Sequence, residues 1–234
     1  MTDKSRKDQN KYEEMLAYER LAWQQGYEVL AGVDEAGRGP LAGPVVAAAC
    51  ILDPSKPIYG LNDSKKLTPS SRNRLFSLIM ENAAAWQIGI ADHLVIDNIN
   101  ILQATCQAMR QAISNLPVKP GLLLIDAVKL SGVNQPVWPI IRGDGLSVSI
   151  AAASILAKVT RDRLMDEFDA QYPEYGFAQH KGYGTPMHYE ALAKFGPCPI
   201  HRLTFLRSVL GSTAETEGTK VQDERQLSFL SGKT

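Results

Sequence analysis

Four carboxylates follow apolar, strand-like runs and sit beside turns: Asp34, Glu35, Asp126 and Asp144. Asp34 and Glu35 follow Val29-Leu-Ala-Gly-Val33, which is too short for a helix and β-branched at both ends, so it reads as a buried strand. Asp126 closes Leu122-Leu-Leu-Ile125, and Asp144 lies in Arg142-Gly143-Asp144-Gly145 after a strand expected over 137–141. Burying an unpaired carboxylate is costly, so acids in such places call for a cation, either a divalent metal or a neighbouring arginine. In open α/β sheets ligands bind off the carboxyl ends of strands. Four acids converging there would repel one another unless a metal neutralised them. Oxygen-only ligation suits Mg²⁺ or Mn²⁺, and two such ions about 4 Å apart would clamp a scissile phosphate.

The loop after Glu35, Gly37-Arg38-Gly39-Pro40-Leu-Ala-Gly43-Pro44, leaves three readings open. One is a strand ending in a solvated acidic turn. Another is a dinucleotide fingerprint, since 37–42 fits G-x-G-x-x-[GA]; that motif needs a helix to open inside it, and Pro40 and Pro44 stand in its way. The third is a metal-dependent phosphodiester site in which the glycines let backbone approach a sugar.

Strands alternating with helices position these residues and indicate an α/β domain. Further strands are expected over 43–52 and 86–91. Helices are expected over 10–25, 69–82, 100–116, 147–170, 186–195 and 201–210, with a short one after Asp92. Thr68 before Pro69 is a natural N-cap and N1 pair. In the first helix Tyr12, Met15, Leu16, Ala22 and Trp23 lie near one face, Gly26 is a stop, and the charged residues 1–8 are expected to fray. Residues 172–183 read as an aromatic-rich loop. The organisation expected is a mostly helical extension over 1–27, an α/β domain over 28–170, a helical C-terminal part of the same domain over 171–210, and a flexible polar tail over 211–234.

Bulk composition excludes more than it assigns. With 25 basic and 25 acidic residues, any nucleic-acid footprint must be local. Two stretches supply one: 56–74 holds Lys56, Lys65, Lys66, Arg72 and Arg74, and 178–207 holds Lys181, Lys194, Arg202 and Arg207. Flanking an acidic metal centre, they could hold backbone phosphates. The three cysteines form no C-x-x-C, which disfavours zinc and a disulfide framework, and His180, His188 and His201 are irregularly spaced. No apolar signal core opens the chain and no apolar run approaches the ~20 residues of a membrane span, so a cytoplasmic, monomeric protein is expected.

The sequence as a whole resembles the ribonuclease HII family, the bacterial type 2 ribonucleases H. Six blocks carry the resemblance in order: 32–46, 62–67, 124–127, 143–162, 175–185 and 196–202. It implies a ribonuclease H-like mixed sheet flanked by helices, with a helical C-terminal part. It also implies cleavage of RNA in RNA/DNA hybrids and incision at single ribonucleotides in duplex DNA, in the setting of DNA repair and replication. On this resemblance Asp34, Glu35, Asp126 and Asp144 are the catalytic metal ligands. Gly37, Arg38 and Gly39 read the ribose 2′-OH, the group that separates RNA from DNA. Tyr183 helps sense the RNA-to-DNA junction, and Lys65 and Lys158 approach the substrate backbone. The chain departs from the family's usual pattern at Arg142, where lysine is common, at Gly145, where serine is common, and at Leu203, where a basic residue is frequent. Ribonuclease HIII carries a substantial extra N-terminal domain, for which the helix before residue 28 is too short.

Two rivals stand beside this reading: a sister ribonuclease H-like DNA endonuclease, and a hybrid-binding module without turnover. In the tail, Gln226-Leu227-Ser228-Phe229-Leu230 resembles the bacterial sliding-clamp-binding peptide. An anchor on a flexible leash would raise the local concentration of enzyme near new DNA.

Overall fold

The structure, a computed structural model, describes residues 3–210. Residues up to Arg202 form one compact unit, and a second begins at Leu203. The first unit is built on β1 (Leu30–Ala36), β2 (Val45–Ile51), β3 (Ala85–Ala91), β4 (Leu122–Asp126) and β5 (Val137–Ile140). Their order is β3-β2-β1-β4-β5. β1 to β3 form an antiparallel meander, and β4 and β5 add parallel to β1. Among the described residues no helix is long and apolar enough to cross a membrane.

The sheet is covered on both faces, which explains the wholly buried β2. Val46, Ala48 and Cys50 join a cluster with α6 (Val148–Gln171) and α3 (Pro69–Asn82). Side chains alternate along a strand, so the intervening residues face α5 (Ile101–Ser114), whose Ala108 packs at Gly89. Close approach rather than bulk holds α6 to the sheet. A Cβ on Gly32 would lie 2.0 Å from the Ser149 backbone, and the small residues of α6 from Ala151 to Ala153 are fully buried. Gly32→Ala is therefore expected to cost about 3 kcal/mol or more by overpacking against backbone that cannot yield, measurable by urea unfolding.

The N-terminal region departs from expectation. Residues 3–8, expected to fray, are helical, and the single expected helix is two, α1 (Asp3–Met15) and α2 (Ala17–Gln24). Asp3 in the first turn complements the positive helix end. The break at Leu16 lets each helix serve a different cluster: Tyr12 and Met15 pack beside α3 and α6, while Ala22 packs with Leu30, Leu122 and Leu124. Trp23, expected on the buried face, is 37% exposed. Gly26 ends α2 as expected, donating to the Trp23 carbonyl at 3.0 Å with φ +87°. Pro69 opens α3 under a Thr68 cap, and α4 (His93–Ile99) follows β3 under an Asp92 cap. The loop expected over 172–183 contains a 3₁₀ turn, Pro173–Tyr175, and a one-turn helix, α7 (Phe177–His180). α8 (Pro186–Phe195) then closes the unit, and α9 (Leu203–Leu210) belongs to the second.

Candidate active site

Parallel pairing of β1, β4 and β5 aligns their carboxyl ends. Val33 pairs with Ile125, and Asp126 with Ile140. Asp34 and Asp126 therefore emerge side by side, and a 3₁₀ turn over Gly143–Gly145 returns Asp144 to them. Oxygens of Asp34, Asp126 and Asp144 lie within 4.8 Å of one another. Asp34 and Asp144 are buried. Two residues beside these acids hold left-handed backbone, Ala127 at φ +51° and Arg142 at φ +59°. Strain of this kind gathers at functional sites.

Local hydrogen bonds fix two of the carboxylates. Asp34 Oδ1 accepts from the Glu35 N–H at 2.7 Å, and Asp126 Oδ1 accepts from the Gly143 N–H at 2.8 Å. The Ser154 hydroxyl also stabilises the Asp34 carboxylate, and it lies 2.9 Å from the Ser64 hydroxyl. Burial, then the charges of Glu35 and Asp126, hold the Asp34 carboxyl well above the usual carboxylate range. Burial, then Asp63 and Asp126, push Asp144 up to about 6. Glu35 is raised by burial against the opposing pull of Arg38, whose guanidinium lies 3.5 Å away. Glu35 Oε2 is buried with no hydrogen-bond partner among the described residues. Three convergent carboxylates, two of them buried, with the orphan oxygen of Glu35 next in the chain to Asp34, fit a divalent cation.

A pH dependence follows from these shifts. Acids with raised folded-state pKa values stabilise the metal-free protein fully below the unfolded value of about 4 and lose that stabilisation as pH rises through the folded value, about 6 for Asp144. A divalent cation held by these carboxylates would take the place of the protons. The rise in Tm on adding metal is therefore expected to be larger at pH 8 than at pH 5 in thermal unfolding scans.

The glycine loop is supported from inside by two buried arginines. Arg161 donates to the carbonyls of Pro44 at 3.0 Å, Lys181 at 3.0 Å and Ala42 at 3.2 Å. Arg202 donates to Gly43 at 2.9 Å, Arg38 at 2.9 Å and Gly37 at 2.6 Å. Gly37 is buried at φ +97°, and a Cβ there would overlap Arg161 Nε at 2.0 Å. Arg38 and Gly39 are exposed, and Tyr183, 45% exposed, comes within 3.6 Å of where a Gly39 Cβ would stand.

The expected site residues thus divide. Asp34, Asp126 and Asp144 come together; Glu35 is outside that triad, feels the Asp126 charge and pairs with Arg38; Tyr183 meets Gly39; and the charge of exposed Lys65 acts on Glu35 and Asp144. Lys158 is engaged by Asp162 at 2.6 Å. Two of the basic residues expected to hold phosphates have structural roles. Arg202 is fully buried against the glycine loop, and Arg72 donates to the Ser64 and Leu67 carbonyls at 3.0 and 2.6 Å. Lys181 pairs with Asp166. The clamp-like residues Gln226, Leu227, Phe229 and Leu230 lie outside the described residues.

Sequence reasoning missed Ser154, Arg161 and Glu19. Ser154 and Arg161 are two helical turns apart on α6, a same-face spacing that could have tied them to one site. Glu19 is 1% exposed; its carboxylate accepts from the Ser147 hydroxyl at 2.6 Å and the Ser149 N–H at 3.0 Å, capping α6. No local signal marks it.

A mixed sheet with acids converging off its parallel strand ends defines a ribonuclease H-like, divalent-metal-dependent nuclease. Residues 31–208 match the family model described as ribonuclease HII. Ribonuclease HII of Ruminiclostridium cellulolyticum is 54% identical over 208 residues, covering 89% of this chain and 82% of that one. That of Acetivibrio thermocellus is 56% identical over 207 residues, covering 88% and 81%. Among solved structures, ribonuclease H2 from Pyrococcus horikoshii superposes with a TM-score of 0.64 at 28% identity, covering 75% of this chain and 93% of that one. The ribonuclease HII in a PCNA complex from Archaeoglobus fulgidus gives 0.65 at 23% identity, covering 80% and 98%, a likeness of fold. The chain belongs to the ribonuclease HII family and is a ribonuclease H, an endonuclease.

Proposed function

We propose that the chain hydrolyses the RNA strand of RNA/DNA hybrids and incises duplex DNA on the 5′ side of single ribonucleotides, leaving 3′-OH and 5′-phosphate ends. The convergence of Asp34, Asp126 and Asp144 off one sheet edge carries this reading. Asp34, Glu35, Asp126 and Asp144 would hold two divalent ions, Mg²⁺ or Mn²⁺. When bound, these ions would activate the attacking water and stabilise the leaving 3′-oxygen. The chain's own residues supply position. Ser154 and the Gly143 N–H orient two of the carboxylates, Arg38 and Gly39 offer an exposed loop to the ribose 2′-OH, and Tyr183 borders it. Lys65, exposed and close enough to act on Glu35 and Asp144, steers the backbone phosphates.

Three duplexes of one sequence test this: a hybrid, a duplex with one embedded ribonucleotide, and all-DNA. The first two are cut and the third stays intact on the proposed reading. Equal cutting of all-DNA would indicate a DNA endonuclease, and binding without cutting under either metal would indicate a silent hybrid-binding module. We also propose that Gln226-Leu227-Ser228-Phe229-Leu230 binds the sliding clamp, on its own residue pattern. Clamp binding unchanged after deletion of 224–234 rules this out.

A further inference from the structure

Of three histidines that the ribonuclease reading leaves without a role, two close a hydrogen-bonded chain behind Tyr183 and the third stacks on it. His201 Nδ1 lies 2.9 Å from the Cys198 N–H, and His201 Nε2 lies 2.9 Å from His188 Nε2. His188 Nδ1 lies 2.9 Å from the Tyr183 carbonyl. The two ends fix every proton between them. A backbone N–H only donates, so His201 Nδ1 accepts and its proton sits on Nε2. A carbonyl only accepts, so His188 Nδ1 donates and its Nε2 accepts from His201. The Cys198 thiol, 3.1 Å from His201 Nδ1, can donate to the same atom, while the Cys198 carbonyl at 3.2 Å competes less well than the closer N–H. His180 stacks on His188 with centroids 4.4 Å apart; its Nδ1 accepts from the Gly182 N–H at 3.2 Å and its Nε2 donates to the Tyr175 carbonyl at 2.8 Å. These rings do not converge on a metal. Their facing nitrogens are committed to one another and to backbone, and among the described residues only the acidic triad forms a metal-holding group.

The segment they hold faces the glycine loop. The Gly182 carbonyl accepts from the Leu41 N–H at 2.8 Å, and Lys181, at φ +51°, accepts from Arg161. We propose that His188 and His201 are positioning residues: a neutral imidazole relay that sets the Tyr183 carbonyl, and with it the exposed Tyr183 ring, against Gly39. The inference rests on the proposed place of Tyr183 at the substrate face.

The relay works only with both rings neutral. Protonating His201 sets an Nδ1–H against the Cys198 N–H, and protonating His188 sets two Nε2–H groups against each other. The groups facing the relay are His93 from α4, His180 from α7 and Cys198 from the turn before His201, with Glu174 acting on Cys198 and Arg202 on His93. Burial, then His188, holds His201 down to about 4, and burial also lowers His188. Stability from the relay is therefore full above the ordinary histidine value of about 6.5 and is lost as pH falls toward about 4.

The test is a double-mutant cycle read on single-ribonucleotide incision. His201→Asn keeps an acceptor for the Cys198 N–H but loses donation to His188; it is expected to lower kcat about tenfold, in line with the cost of small misplacements. His201→Gln restores a donor near the Nε2 position and is expected to recover part of that loss. In a Tyr183→Ala background the His201→Asn cost should shrink to less than about twofold. An unchanged tenfold cost there overturns the relay and leaves the Tyr183 reading standing. Tyr183→Ala protein as active as wild type overturns the Tyr183 reading and the inference with it. Imidazole ¹⁵N spectra of the wild-type protein test the relay without any variant. Protonation at His201 Nε2 and His188 Nδ1 at pH 7.5 supports it, and the opposite tautomers, or titration of either ring near pH 6.5, overturn it.

Discussion

Asp126→Asn is expected to fold, to lose cleavage by about 1,000-fold or more, equivalent to roughly 4 kcal/mol of barrier, and to be at least as stable as wild type without metal. The three outcomes share one cause. Asn keeps the shape of Asp and can still accept from Gly143 through Oδ1, so the turn carrying Asp144 stays in place. It removes one of the charges that raise the Asp34 and Asp144 carboxyls, and like-charge repulsion in a desolvated cluster destabilises the metal-free fold. On the proposed reading the same charge helps hold the divalent cation. Single-turnover cleavage together with metal-free Tm at pH 8 checks the set. A variant that loses activity by unfolding, with a large drop in Tm, would mean that Asp126 serves the fold and not the metal.

Arg161→Met is expected to destabilise the protein by about 3–5 kcal/mol, the range for breaking a buried charged network. Met fills much of the aliphatic stem but leaves the Pro44, Lys181 and Ala42 carbonyls without their donor. Because Arg161 also occupies the space beside Gly37, the loop carrying Arg38 and Gly39 loses its inner support. Activity on ribonucleotide-containing duplex should therefore fall in the fraction that remains folded. Arg161→Lys should rescue little, since one ammonium cannot reproduce a planar fork aimed at three separate carbonyls. Guanidinium denaturation gives the free energy, and a loss below about 1 kcal/mol would show that water replaces the guanidinium at no great cost.

The sequence made the acids legible because a buried strand ending in a carboxylate is a local pattern that Asp34 and Asp126 share, and Asp144 stands in a glycine-flanked turn just beyond β5 that the fold returns to them. The strands β1 to β3 and the long α6 were legible for the same local reason, periodicity and turn chemistry, whereas the antiparallel pairing of those strands came only with the fold. Arg202 was misread because a cation among polar residues looks like a solvated face, and only the fold shows six loop carbonyls awaiting two guanidiniums. Glu19 was invisible because its partners Ser147 and Ser149 lie about 130 residues away. The histidines hid behind irregular spacing, since α7, α8 and the turn before His201 bring them together from three directions. The break at Leu16 followed from which cluster each half of the N-terminal region buries, which is tertiary information.

The most direct measurement maps the cut in a DNA duplex carrying one ribonucleotide, with Mg²⁺, with Mn²⁺ and with EDTA. On the proposed reading a single metal-dependent incision falls on the 5′ side of the ribonucleotide, with 3′-OH and 5′-phosphate ends and none in EDTA. Cleavage that persists in EDTA, or a cut on the 3′ side leaving a cyclic phosphate, would contradict it, because the attack would then come from the 2′-OH and the carboxylate cluster would have no part in it.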